Sequence, residues 1–374
     1  MLAYKRFSHF LRDGLVLIAL LITWAVIEAR RDAAERLARH EDFSIIEVQP
    51  PHSSYEVAAF SADGRRCALL RGSSSVANAD RAWLRGSVIP HVVANDRYFN
   101  PVAFGPREVN GDSEVDSLVR SIAMSPDGKI LAFGGDGAIT LWDVDRQRIV
   151  EKLDCPRIQV ACLAFAPDGR AVAAGSETGD IVISDLGGSV RWHETTDGAV
   201  RCLAFAPDGR RLAVGTSLGA ILLFDARSGT FVRSFKDAPR QGHATQVVAL
   251  AFRPDGEALA TASRVDVKAW DVATGEKLAT LPNSDPWGRG WPDVSLAYRP
   301  DGKAVAIGLG STYAPRRGEV RLWRPVEESG AQPLFVDDAH IVLGLSFSPD
   351  GQALATAGRD GNVRRWDVGG AARP

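Results

Sequence analysis

A four-residue turn recurs seven times in this 374-residue chain, and that recurrence restricts the fold more than any other feature. The copies are Ser61-Ala62-Asp63-Gly64, Ser125-Pro126-Asp127-Gly128, Ala166-Pro167-Asp168-Gly169 and Ala206-Pro207-Asp208-Gly209, then Arg253-Pro254-Asp255-Gly256, Arg299-Pro300-Asp301-Gly302 and Ser348-Pro349-Asp350-Gly351. Their glycines stand 64, 41, 40, 47, 46 and 49 residues apart. Pro presets φ, Asp bonds local backbone and Gly accepts positive φ, so each copy reads as a hairpin turn. A period of this length marks an array of stacked units, none of which buries its apolar face alone.

The run before each turn alternates. Phe60, Met124, Phe165, Phe205, Phe252, Tyr298 and Phe347 precede the seven turns, and Ala58, Ile122, Leu163, Leu203, Leu250, Leu296 and Leu345 stand two residues earlier. Between them lie small residues such as Ala164, Ala204, Ala251, Cys162 and Cys202. A period of two puts the bulky set on one strand face and the small set on the other. Such a strand suits a crowded place where neighbouring sheets converge. A second strand follows each turn, and a third often ends in Trp-Asp, as at Trp142-Asp143, Trp270-Asp271 and Trp366-Asp367. Ser184 and Phe224 stand in for Trp in units three and four, and Trp83 marks the expected third strand of unit one.

With a fourth run after each, the pattern resembles the WD-repeat β-propeller family, in the bacterial style with Pro-Asp-Gly turns. The resemblance covers residues 43–370 and implies an all-β, seven-bladed propeller over 43–374. It also implies that residues 43–48 (FSIIEV) close the ring by completing the seventh unit, which stops after its third strand. The family's hydrogen-bonded tetrad of His, Ser or Thr, Asp and Trp is nearly complete in unit seven as His340, Thr356, Asp360 and Trp366. Unit five offers His243, Ser263 and Trp270 with its turn Asp displaced.

Ahead of the array, residues 14–27 carry no charge. As a helix they span about 21 Å, and counting 10–29 with snorkelling ends restores the roughly 30 Å of a bilayer core. The expectation is an N-terminal transmembrane (signal-anchor) helix over 1–29 and a polar helical stalk over 30–42, giving a single-pass membrane protein. A cleaved signal peptide is the rival, but Ile27-Glu28-Ala29-Arg30-Arg31 offers no small-x-small site. Lys5, Arg6 and Arg12 nearly balance Arg30, Arg31, Arg36 and Arg39, so the side of the membrane stays open.

Chemistry is sparse in this sequence. Balanced charge, 44 Lys plus Arg against 46 Asp plus Glu, argues against nucleic-acid binding. No zinc-protease, phosphate-loop, dinucleotide or EF-hand pattern occurs, so no cofactor or metal is expected. Gly215-Thr216-Ser217-Leu218-Gly219 matches a nucleophile elbow, but between two strands rather than strand and helix. Cys162 and Cys202 read as packing residues, Cys67 as buried in a second strand and Cys155 as a loop residue. One constellation stands out: Trp287, Arg289 and Trp291 lie between units five and six, and Tyr313, Arg316 and Arg317 lie in a long turn of unit six. The resemblance puts both connections on one propeller face, and Trp, Tyr and Arg are enriched in binding hot spots. Trp291 also falls where a strand-capping residue belongs; Arg240, Gln241, Asp337 and Asp338 are weaker candidates. The expected function is a membrane-held, non-enzymatic scaffold for protein partners. The alternative is an extracytoplasmic propeller with a small-ligand or hydrolase-type site at the channel mouth, near Glu56, Arg120 and Arg201.

Overall fold

From the second copy to the seventh, every Pro-Asp-Gly turn joins two antiparallel strands in the computed structural model. The structure describes residues 55–62, 66–71, 87–92, 121–146, 148–237, 240–282, 293–311, 317–325, 332–337, 341–359 and 363–368. In these turns the Gly φ lies between +67° and +77°. Each Gly N–H donates to the carbonyl three residues back at 2.8–2.9 Å. The Asp carboxylate accepts the N–H two residues ahead, as Asp168 does from Arg170 at 2.9 Å and Asp208 from Arg210 at 2.9 Å. The sequence has placed each residue type where the turn needs it.

The chain divides into two units, Met1–Ser44 and Ile45–Pro374. The expected anchor, stalk and closing strand 43–48 lie outside the described residues. Among those described there is no helix, and none therefore long and apolar enough to cross a membrane. Repeat units four to six are four-stranded sheets in chain order. Unit four comprises Val200–Phe205, Arg211–Thr216, Ile221–Asp225 and Phe231–Ser234; unit five comprises Val247–Phe252, Ala258–Ser263, Asp266–Asp271 and Lys277–Pro282. Unit six comprises Asp293–Tyr298, Val305–Ser311, Arg317–Trp323 and Gln332–Asp337. Units one and seven show three strands each: Tyr55–Phe60, Arg66–Arg71 and Ser87–Val92, then Val342–Phe347, Ala353–Gly358 and Val363–Asp367. The third strand of unit one thus begins beyond Trp83, which lies outside the described residues.

Units two and three depart from expectation. They share one seven-stranded sheet, because Arg148–Phe165 runs unbroken from the outer strand of one into the inner strand of the next. Cys155 is therefore a buried strand residue rather than a loop residue. Leu153 and Cys155, then Ile158 and Val160, are all buried at alternate positions, so apolar alternation carries extended backbone through the connection. Arg240 and Gln241, read as loop, pair with Lys236 and Asp237 in a two-residue ladder.

Adjacent units interlock by size. Leu203 and Phe205 of unit four pack with Cys162 and Ala173 of unit three, and Leu250 and Phe252 of unit five pack with Cys202, Ala204 and Ala213 of unit four. The bulky face of each inner strand fills space left by the small face of the one before. Each apolar side chain so buried contributes about 1.5–3 kcal/mol. Glycine sharpens the fit at the second strand. A Cβ on Gly175 would stand 2.4 Å from Val200 Cγ1, and one on Gly134 would stand 2.3 Å from Val160 Cγ1. The inner strands neighbour one another in chain order, and Tyr55–Phe60 also lies against Val342–Phe347. At that last contact a Cβ on Gly344 would meet the Ala58 Cβ at 3.0 Å.

Candidate functional site

Unit five holds a buried polar chain. His243, in the loop before the inner strand, contacts Asp266 Oδ1 through Nδ1 at 2.5 Å and Thr261 Oγ1 through Nε2 at 2.6 Å. Trp270 Nε1 donates to the same Thr261 hydroxyl at 2.8 Å, and the Ser263 hydroxyl donates to Asp266. Lys268, almost wholly buried, reaches Gly242 O at 2.9 Å and Asp266 Oδ2 at 3.4 Å, with Nζ 5.8 Å from the Trp270 ring centroid. Burial alone would raise the Asp266 pKa. The His243 hydrogen bond and charge, the Ser263 hydroxyl and Lys268 outweigh it and hold the carboxyl well below the usual range.

One expectation is corrected by this arrangement. The bridging hydroxyl belongs to Thr261, with Ser263 supporting Asp266 from the side. The displaced acid still closes the network, because Asp266 opens the third strand within reach of His243. In unit seven Trp366 Nε1 donates to Thr356 Oγ1 at 2.9 Å, while His340 and Asp360 lie outside the described residues.

Acids equivalent to Asp266 take other partners elsewhere. In unit three Asp180 meets His193 Nε2 at 2.9 Å and accepts from Ser176 and Thr178. In unit six Glu319 takes Arg321 through two bonds, at 2.6 and 2.9 Å. In units three and five these bonds tie strands together, and the hydroxyl beside His243 is that of fully buried Thr261, which also accepts from Trp270. Ser217 sits in a strand-to-strand turn, its N–H donating to Ala199 O at 2.8 Å. Cys162 and Cys202 direct their thiols at Val200 O and Val247 O of the following unit, each at 3.7 Å. Burial raises the Cys162 thiol to about 12. No group of three or more His, Cys, Asp or Glu suited to a metal occurs among the described residues.

Trp287, Arg289, Trp291, Tyr313 and Arg316 lie outside the described residues, and Arg317 is placed by its backbone alone, opposite Ser311 at the start of Arg317–Trp323. Asp337 ends its strand opposite Gly318, while Asp338 and Arg120 lie outside the described residues. Arg201 is paired with Glu177 at 2.8 Å. One residue at this end of the fold escaped attention in the sequence. Asp293 occupies the slot filled by Val160, Val200, Val247 and Val342 in four other units, and lining up the repeats would have exposed it. Burial raises its carboxyl pKa despite the nearby Arg359 and Arg264.

Comparison with known proteins matches this architecture. The family described as "WD domain, G-beta repeat" matches residues 331–367, and "Nucleolar protein 10-like, N-terminal domain", a β-propeller, matches residues 106–288. The chain is a WD-repeat protein. The WD repeat-containing protein slp1 of Schizosaccharomyces pombe is 26% identical over 300 residues, covering 76% of this chain and 57% of slp1. The target of rapamycin complex subunit wat1 of the same organism is 26% identical over 267 residues, covering 68% of this chain and 65% of wat1. This WD-repeat chain therefore spans less than two thirds of either relative. A chain in the crystal structure of the mitotic checkpoint complex superposes with a TM-score of 0.64 at 22% identity, covering 88% of this chain and 91% of that one. That likeness establishes the fold.

Proposed function

We propose that this protein is a non-enzymatic scaffold, a seven-bladed ring that presents variable loops to protein partners and is held at a membrane by residues 1–29. The observation that carries the reading is the division of labour within the repeat. Turns, bulky-into-small packing and polar networks use the recurring residues for cohesion, which leaves the loops between and within units free to vary. The cycle of inner-strand neighbours supports closure, and residues 43–48 are the natural fourth strand for unit seven. The names of wat1, a complex subunit, and of the mitotic checkpoint complex support work within assemblies. A rigid ring tethered to a bilayer raises the local concentration of whatever it binds.

The test is affinity capture from membranes with tagged full-length protein, set against Trp287→Ala/Arg316→Ala/Arg317→Ala. The expected result is an intact ring and reduced recovery of partners. Unchanged recovery would reject these loops as the contact site. Protease accessibility in intact cells would fix which side of the membrane carries the ring, and cleavage of the first 29 residues in mature protein would reject the anchor.

A further inference from the structure

Four inner strands begin with a buried valine, and the inner strand of unit six begins with an acid. Val160, Val200, Val247 and Val342 are fully buried, each against Gly134, Gly175, Gly215 or Gly308 of the preceding unit. At the seam between units five and six both halves of that fit have changed, to Ala262 and Asp293. A carboxyl group gives up the packing that a valine makes in this slot, which directs attention to what surrounds it.

Two arginines flank Asp293, one from each neighbouring unit. On one side Asp293 pairs with Gly310 in the sheet, and a Cβ on Gly310 would stand 2.4 Å from Ile341 Cγ2. The Arg359 backbone N–H donates to Ile341 O at 2.8 Å, which sets Arg359 beside that contact. On the other side stands Arg264, at the same repeat position as Arg359, directly after the second strand. The Gln246 amide, with its oxygen assigned toward Arg264, accepts from Nε and Nη2 at 3.1 Å each. Neither guanidinium makes an ion pair among the described residues. Among the described residues, two cations here face one carboxylate.

The same position elsewhere carries no spare cation. In unit three it is Glu177, already paired with Arg201 at 2.8 Å, and in unit four it is Ser217. Among the described residues, the unpaired cations at this position thus belong to units five and seven. Arg317 opens a strand at this end too, but Asp337 lies opposite its neighbour Gly318, so the charge count rests on Arg264 and Arg359.

We propose that Arg264 and Arg359, set on either side of Asp293, form a docking site for an acidic peptide segment of a protein partner. The inference rests on the scaffold reading and adds the chemistry of the partner. A guanidinium fork offers a carboxylate two parallel N–H bonds, and arginines on separate units favour an extended segment with spaced acids over a single small anion.

The probe is a fluorescein-labelled oligoglutamate peptide, with oligolysine of equal length and a single-stranded DNA oligomer as controls, read by fluorescence anisotropy on the full-length chain. Oligoglutamate is expected to bind, and Arg264→Ala/Arg359→Ala to weaken it about tenfold or more. Arg201→Ala should leave it unchanged. Arg264→Gln/Arg359→Gln, which keeps side-chain bulk, guards against loss of fold and should weaken binding alike. Asp293→Asn should tighten binding severalfold, since one like charge disappears. Preference for oligolysine, equal binding of DNA, equal binding by the arginine variants or weaker binding by Asp293→Asn would each overturn the proposal. Absence of oligoglutamate binding while tagged protein still recovers partners from membranes would reject this site and leave the scaffold standing.

Discussion

Units three and five solve one packing problem in different ways. Unit five fastens its strands with a buried chain from His243 through Thr261 to Trp270, with Asp266 fixing the far side of the imidazole. Unit three has Ser184 where unit five has Trp270, and Ser184 Oγ is buried with no partner among the described residues. Its own indole comes from the outer strand instead. Trp192 crosses toward unit four, where its ring lies 6.1 Å from that of Phe224 and its Nε1 donates to Ala226 O at 3.0 Å. Its acid, Asp180, meets a half-exposed His193 rather than a buried one. One unit is locked from within by polar groups, the other by an aromatic shared with its neighbour. The fold therefore requires a filled slot and satisfied strand ends, and tolerates several chemistries that achieve them.

The sharpest way to break this contrast is Trp270→Ala. Trp270 is fully buried, packs edge-on against Phe235 at 5.9 Å, and loss of its indole removes one of the two bonds to the Thr261 hydroxyl. The expected cost is about 4 kcal/mol in chemical denaturation. A cost below about 1 kcal/mol would show that the tetrad is not what holds unit five. Asp266→Asn comes next, at about 2 kcal/mol near neutral pH, the scale of charge-assisted bonds lost. Acid should separate the two proteins further. A carboxyl held below its ordinary pKa contributes stability that is present above about pH 4 and is lost as pH falls from there. Wild type should lose stability along that limb, and Asp266→Asn should lose less. Parallel acid limbs would remove Asp266 from the account.

Much of this was legible because repetition makes sequence redundant. The Pro-Asp-Gly turns gave the hairpins, and alternation gave the bulky and small faces that interlock. Position within one unit predicts position in all, so Cys162 and Cys202 could be assigned to packing before their thiols were seen to meet the next unit's carbonyls. What escaped was set by contacts between units or by register. The strand through Cys155 depends on pairing Asp136 with Gln159, which no local pattern announces. The choice of Thr261 over Ser263 turns on which hydroxyl stands within reach of both the Trp270 indole and the His243 ring. Two residues along a strand keep the same face, so alternation could not choose between them. Asp293 was hidden because an acid at a strand start reads as surface until the valines of the other units are set beside it.

Smaller effects sharpen the contrast from the side of unit three. Ser184→Ala should stabilise by about 1 kcal/mol, since it removes a buried hydroxyl that finds no acceptor at no cost in packing. A loss of stability would mean that the hydroxyl is satisfied in solution, and unit three would then hold a polar lock of its own. His193→Ala should change stability by no more than about 0.5 kcal/mol, the scale of an exposed ion pair. His193 is half-exposed, and Asp180 keeps its bonds to the Ser176 and Thr178 hydroxyls without it. His243→Ala in unit five provides the matching measurement, because that ring is fully buried and its two nitrogens join Asp266 to Thr261. The ratio of the two losses, read from the same denaturation curves, measures how much of a histidine's worth comes from burial. Equal losses would place the difference between the units in their aromatic packing alone.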